Sequence, residues 1–186
     1  MVRRCVLLSL LIFAACDLFV PRTPEDPVGQ AGTWDQPVAA DVVVENLRAA
    51  IRELNAANYR RSLDASLVFK PSAVAEARDP SLWASWGSAQ ENSYFTTMVE
   101  AARDQVGHGL RLEDVATELG DTRYVMDAQY VLIVLHGRES IPDTLQGRLI
   151  WEITQSRTGL WALSRWTDQS ISSVPSWSDL KAGFGK

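Results

Sequence analysis

The sequence predicts an α+β domain, helices first and consecutive antiparallel strands after, on three observations. Apolar residues recur at helical spacing between Pro37 and Gln105 and alternate with polar ones between Leu110 and Asp168, with Gly107 and Gly109 dividing the two regimes. The chain has 186 residues, 46% apolar and 22% charged, enough to bury one sizeable core. Its formal net charge of -5 excludes the basic footprint of a nucleic-acid binder.

The elements follow in order. Val43, Leu47, Ala50, Ile51 and Leu54 share one face of a helix opening at Pro37, opposite Glu45, Arg48, Arg52 and Glu53. Asn58 is placed to cap a second short helix, with Tyr59, Leu63 and Leu67 as its apolar side. Leu67, Val68 and Phe69 before Pro71 read as a short strand, and residues 71–80 as a loop. Ser81 to Gln105 reads as a long helix, with Trp83, Trp86, Phe95, Met98, Val99 and Ala102 on one side.

Beyond Gly109 the period becomes two. Leu110 to Leu119 is a first strand, and Tyr124, Met126, Ala128, Tyr130, Leu132 and Val134 form the inward set of a second. Leu145, Leu149, Trp151 and Ile153 alternate with polar neighbours in a third. Leu160 to Asp168 closes the sheet after the Arg157-Thr158-Gly159 turn. Ser176 starts a short helix whose Trp177, Leu180 and Phe184 fold back onto the body.

The first residues read as an address. Arg3 and Arg4 precede the apolar stretch Cys5–Phe13, and Ala14-Ala15 stand before Cys16. Small residues directly before a cysteine resemble the lipobox of bacterial lipoproteins, although Phe13 stands where that family favours Leu. The resemblance implies that residues 1–15 are a signal peptide and that Cys16 carries the lipid. Cleavage would also remove Arg3, Arg4 and Cys5, leaving a more acidic chain without a disulfide pair. Residues 16–37, rich in Pro, Gly and polar side chains, then form a tether, and 38–186 the domain. The expected location is the bacterial cell envelope, facing the periplasm, with Asp17 leaving the choice of membrane open.

Three stretches carry a further resemblance. They are Glu45–Ala50 with Asn58-Tyr59-Arg60 and Leu67–Phe69; Asp79–Trp83; and Trp161–Asp168 with Ser176–Lys181, where W-x-L-x-R-W-x-D and S-W-x-x-L-K are the most specific. The order of elements and these stretches resemble bacterial lipoproteins of the nuclear transport factor 2-like (cystatin-like) superfamily. That resemblance implies a cone, in which a curved antiparallel sheet wraps a long helix and leaves a cavity at its open end. Members include isomerases, dehydratases, polyketide cyclases and binding modules, so fold alone does not choose among them.

Isomerase-like members place a catalytic aspartate before a proline at the end of the first strand. Lys70 stands there, before Pro71, and a protonated lysine removes no proton. The other candidate cavity residues are Tyr59, Tyr94, Tyr124, Asp127, Tyr130, His136 and Arg165, where a phenol beside a carboxylate or imidazole would suit dehydration or isomerisation. Arg165 aligns with Trp161 and Leu163 on the expected inner face and wants a carboxylate there, Asp127, Glu152 or Asp168.

His108 and His136 have no partner at metal-ligand spacing, so no metal or other cofactor is expected. Of seven Trp, five fall on core positions, while Trp34 and Trp166 are the candidates for a partner surface. Polar Gln146, Arg148, Glu152 and Thr154 on the outer sheet face point to a monomer or weak homodimer.

Two readings follow. The first is a lipid-anchored, non-catalytic envelope domain binding a protein partner or small apolar ligand in or beside the cone. The second is a cyclase-, isomerase- or dehydratase-like enzyme using Tyr with Asp or His. A filled cone favours the former and an open polar chamber the latter.

Overall fold

The computed structural model describes residues 32–171 and 173–185. Helix α1 (Ala40–Arg52) buries Val43, Leu47, Ala50 and Ile51, and its charges complement its dipole, with Asp41 in the first turn and Arg52 in the last. It starts beyond Pro37, whose carbonyl accepts from the Trp161 N–H at 2.8 Å. The preceding residues are held as well, since Asp35 and Asn46 exchange two hydrogen bonds of 2.7 and 2.9 Å.

Helix α2 (Ala56–Arg61) is capped by Asn55, which accepts from the Asn58 N–H at 3.0 Å. Asn58 was the expected cap; it lies inside the first turn, buried. Leu63 and Leu67, expected on that helix, belong instead to strand β1 (Leu63–Lys70). The expected loop over 71–80 contains helix α3 (Ala73–Arg78), capped by Ser72, and one turn, α4 (Pro80–Trp83), capped by Asp79. The long helix α5 (Ser88–Ala102) starts later than expected. Gly87 before it forms a β-bridge to Val68, and a bridging backbone cannot also be helical.

The sheet adds β2 (Gly109–Leu119), β3 (Arg123–Ile133), β4 (Thr144–Gln155) and β5 (Trp161–Gln169), in the order β1-β5-β4-β3-β2. Strands β2 to β5 pair antiparallel as expected, while β1 joins parallel to β5. Register shifts interrupt three of the four ladders, each of the kind that bends a strand. In β2 the shift includes Asp114 at φ 49°. Helix α1 packs on the inner face against β2, β4 and β5, and α5 packs against β1.

The shift in β5 overturns the expected position of Arg165. Glu152 pairs with Arg165, but Ile153 pairs with Leu163, so Ser164 is an extra residue on β5. Its hydroxyl donates to the Glu152 carbonyl at 3.0 Å. One inserted residue reverses the faces of everything after it. Trp161 and Leu163 point inward, then Trp166 and Asp168 do so, and Arg165 is exposed. Trp166 is therefore fully buried rather than a surface candidate.

The five tryptophans expected in the core (Trp83, Trp86, Trp151, Trp161 and Trp177) are buried there. Trp34 is half-buried, its ring face covered by the Arg61 guanidinium at 3.6 Å.

Candidate functional site

The last helix, α6 (Trp177–Phe184), builds the centre of the molecule. The Asp179 carboxylate accepts from the Ser176 N–H at 2.7 Å and fixes its first turn. Trp177, Leu180, Lys181 and Phe184 follow helical spacing, so one apolar stripe carries a lysine into the core. Lys181 Nζ donates to Glu91 Oε2 at 2.6 Å, and neither side chain reaches solvent. Tyr59 donates to Glu91 Oε1 and Trp86 Nε1 to Oε2, each at 2.7 Å.

The Lys181 ammonium also lies 3.5 Å from the Trp166 ring centre and 3.7 Å from that of Phe69. Burial lowers the Lys181 pKa to about 8, against the upward pull of Glu91 and Asp168. The amine is thus still charged at neutral pH.

A second polar cluster lies at the start of α6. Asp168 Oδ1 accepts from the Tyr130 hydroxyl at 2.7 Å, and Oδ2 accepts from the Ser178 N–H at 2.8 Å and from the Ser178 hydroxyl. That hydroxyl accepts in turn from the Ser72 N–H at 2.9 Å, joining α3 to α6. The Tyr130 oxygen accepts from the Trp177 N–H at 2.6 Å. Desolvation, then the Asp168 charge, push the Tyr130 phenol far above its ordinary pKa. Its hydroxyl is held between the Asp168 carboxylate, to which it donates, and the Trp177 N–H, from which it accepts.

Of the residues expected to line a cavity, the structure brings Tyr59, Tyr94 and Tyr130 inside, each at most 1% exposed. Tyr94 accepts from Trp177 Nε1 at 3.0 Å. Tyr124 is half-buried at the start of β3. Asp127 lies on the outer sheet face, where the Arg148 guanidinium grips both its oxygens and holds its pKa below the usual range. Expecting it inside overlooked the alternation that put Met126 and Ala128 in the core.

His136 is buried against Phe184, and its Nδ1 accepts from the Arg138 N–H at 3.1 Å, so it serves the turn after β3. Arg165 faces solvent and Lys70 is exposed. The carboxylates that meet the tyrosines are Glu91 and Asp168. Glu91, Lys181, Ser178 and Ser72 were not among the expected cavity residues, although Lys181 closes the S-W-x-x-L-K stretch and Glu91 stands in register with Tyr94, Phe95, Met98 and Ala102 on α5.

These side chains fill the cone. Tyr59 stacks on Phe95 with ring centres 3.7 Å apart, and Trp166 meets Trp177 edge-on at 4.4 Å. Hollows occur at the surface. One of about 460 Å³ flanks α6, with Ala75, Arg78, Ile141, Pro142, Pro175 and Ala182 on its walls. Another of about 400 Å³ lies at the end of β1 beside Lys70, Val74 and Thr167. Among the described residues no group of three His, Cys, Asp or Glu could hold a metal ion.

No family model matches the chain, and no curated protein matches its sequence. Solved structures do match. A nuclear transport factor 2-like protein of unknown function in nutrient uptake from Rhodospirillum rubrum superposes with a TM-score of 0.54 at 15% identity, covering 72% of this chain and 98% of that one. A protein of unknown function from Mycobacterium tuberculosis gives 0.52 at 9% identity, over 78% and 83% of the two chains. A nuclear transport factor 2-like protein from Cytophaga hutchinsonii gives 0.51 at 12%, over 69% and 93%. At such identities the likeness concerns the fold. The chain has the nuclear transport factor 2-like, cystatin-like fold, with helices packed in a curved five-stranded sheet.

Proposed function

We propose that this chain is a lipid-anchored cell-envelope domain without chemistry of its own, binding a protein partner or small apolar ligand in the hollow beside α6. The observation that carries the reading is the filled cone. Tyr130 and Asp168 stand together as a phenol and a carboxylate would in an acid–base pair, yet every bond they make goes to α6 or to each other. Both are only 1% exposed, and Asp168 also borders the hollow at the end of β1. The hollow along α6 is open, with apolar Ile141, Pro142 and Ala182 on its walls and the Arg78–Asp179 ion pair at its rim.

The anchoring half rests on Arg3-Arg4, the apolar stretch and Ala14-Ala15-Cys16, all outside the described residues. Among the described residues no helix is long and apolar enough to cross a membrane. Feeding cells an alkyne-tagged fatty acid tests this half. The label is expected on the wild type and absent from Cys16→Ser; an unlabelled wild type overturns it. A photo-crosslinking residue at Ala182 in the detergent-extracted protein tests the other half. A discrete adduct that Ile141→Glu abolishes is expected, and an adduct pattern indifferent to Ile141→Glu overturns the hollow as the binding surface.

A further inference from the structure

The surroundings of Lys181 have the composition of a receptor for an organic cation. Two ring faces lie 3.5 and 3.7 Å from its nitrogen, and a carboxylate oxygen 2.6 Å away completes the shell. That carboxylate is itself aimed, by Tyr59 on one oxygen and Trp86 on the other. All five host residues lie outside α6: Phe69 on β1, Trp166 on β5, Tyr59 on α2, Glu91 on α5 and Trp86 just before α5. Helix α6 supplies the guest, and its Trp177 packs edge-on against the Trp166 wall.

Packing alone does not call for this arrangement. A buried ion pair is commonly matched or bettered by apolar side chains of similar volume, and Leu180 and Phe184 on the same stripe show what such filling looks like. The guest is also carried on the last described helix, which the segment between Gln169 and Ser176 joins to the sheet. Exposed Val174 lies in that segment.

We propose that the box formed by Phe69, Trp166 and Glu91 is an alkylammonium-binding site, held closed by Lys181 as its internal guest and opened to an external amine when the C-terminal helix lifts. The Asp168–Ser178 bonds form the second clip that keeps the closed state dominant. An external amine therefore competes with a tethered one and binds the intact protein weakly, in proportion to the small open fraction. The proposal does not depend on the lipid anchor or on the hollow beside α6.

Hydrogen exchange on the full-length, detergent-extracted protein tests it, with n-butylammonium chloride as the probe. Sodium chloride at equal ionic strength and n-butanol are the controls. A ligand that selects the lifted helix raises its open population, so amides of Trp177–Phe184 are expected to exchange at least about tenfold faster with n-butylammonium, with the β3–β4 ladder unchanged. Unchanged exchange in α6, or equal acceleration by n-butanol, overturns the proposal.

Lys181→Ala vacates the box. Its tryptophan fluorescence is expected to report n-butylammonium binding at least about tenfold tighter than in the wild type, and Glu91→Gln in the same chain is expected to abolish it. A folded Lys181→Ala protein indifferent to the amine overturns the proposal too. Should that variant not fold, the exchange measurement on the wild type decides alone.

Discussion

Lys181 and Glu91 lie 90 residues apart and meet at 2.6 Å with both side chains wholly out of water. Their pairing ties α6 to the long helix α5. Breaking such a pair from one side strands a buried charge. Lys181→Met is expected to cost about 3–5 kcal/mol in urea unfolding. Adding Glu91→Gln, which keeps an acceptor for Tyr59, should recover part of that loss. A double variant as unstable as the sum of the single ones would show that the pair is not coupled.

The same lysine makes stability rise with pH over a defined window. Its folded pKa is about 8 against an ordinary 10.5, so between these values the folded protein sheds a proton that the unfolded chain keeps. The unfolded state then binds more protons, and stability increases as pH rises, by at most about 3 kcal/mol.

Tyr59 and Tyr94 act oppositely. Burial, and next the Glu91 charge, hold their phenols well above the ordinary 10.0, so the stability they lend is complete below that pH and is lost above it. Chemical denaturation should therefore give a maximum at about pH 9 to 10. Lys181→Met should abolish the rise and keep the fall; a wild type that weakens steadily above about pH 8 would refute the assignment.

Asp168 is the acceptor for three donors and the counterpart of the α6 N-terminus. Asp168→Asn removes the charge and turns an amide toward donors already present, at an expected cost of about 3 kcal/mol. The loss should appear first in α6. Limited trypsin digestion is the check, because Lys181 becomes a cleavage site only when that helix detaches. By contrast Asp127→Asn, on the outer face, should change stability by less than about 1 kcal/mol and leave digestion unchanged, as expected of a partly exposed pair with Arg148.

Much of this was legible in the sequence. The alternation in β3 and β4 located the buried residues because the inward side chains there are aliphatic or aromatic, and Ser176 announced α6 by its side chain and by Asp179 three residues on. The reversal at Ser164 was not legible, because a bulge exists only relative to the neighbouring strand, here the Glu152–Ile153 step. Glu91 and Lys181 lay within reach of the periodicity. Each occupies an apolar stripe, and a single charge on a stripe is the mark of a buried partner; only the fold says which charge it meets. Asp168, expected as a partner for an inward Arg165, is inward itself and meets Tyr130 and Ser178 instead.

Gly147 shows how closely the Asp168 cluster is packed. A Cβ built there would lie 2.5 Å from the Tyr130 hydroxyl oxygen and 2.7 Å from the Gln169 carbonyl oxygen, both too near for any real side chain. Tyr130 faces Gly147 across the β3–β4 ladder, so its phenol passes over a bare backbone to reach Asp168. Gly147→Ala is therefore expected to push the phenol away and destabilise the protein by about 2–3 kcal/mol.

Two effects are mixed in that loss, the steric contact and the broken Tyr130–Asp168 bond, and a second variant separates them. Tyr130→Phe removes the clashing oxygen but also the donor, so alone it should cost about 1–3 kcal/mol through Asp168 and the Trp177 N–H. In the Tyr130→Phe background Gly147→Ala should cost less than in the wild type, since only the ring edge and the Gln169 carbonyl remain in its way. Equal costs in both backgrounds, measured by urea unfolding, would mean that the backbone contact with Gln169, rather than the phenol, requires glycine at this position.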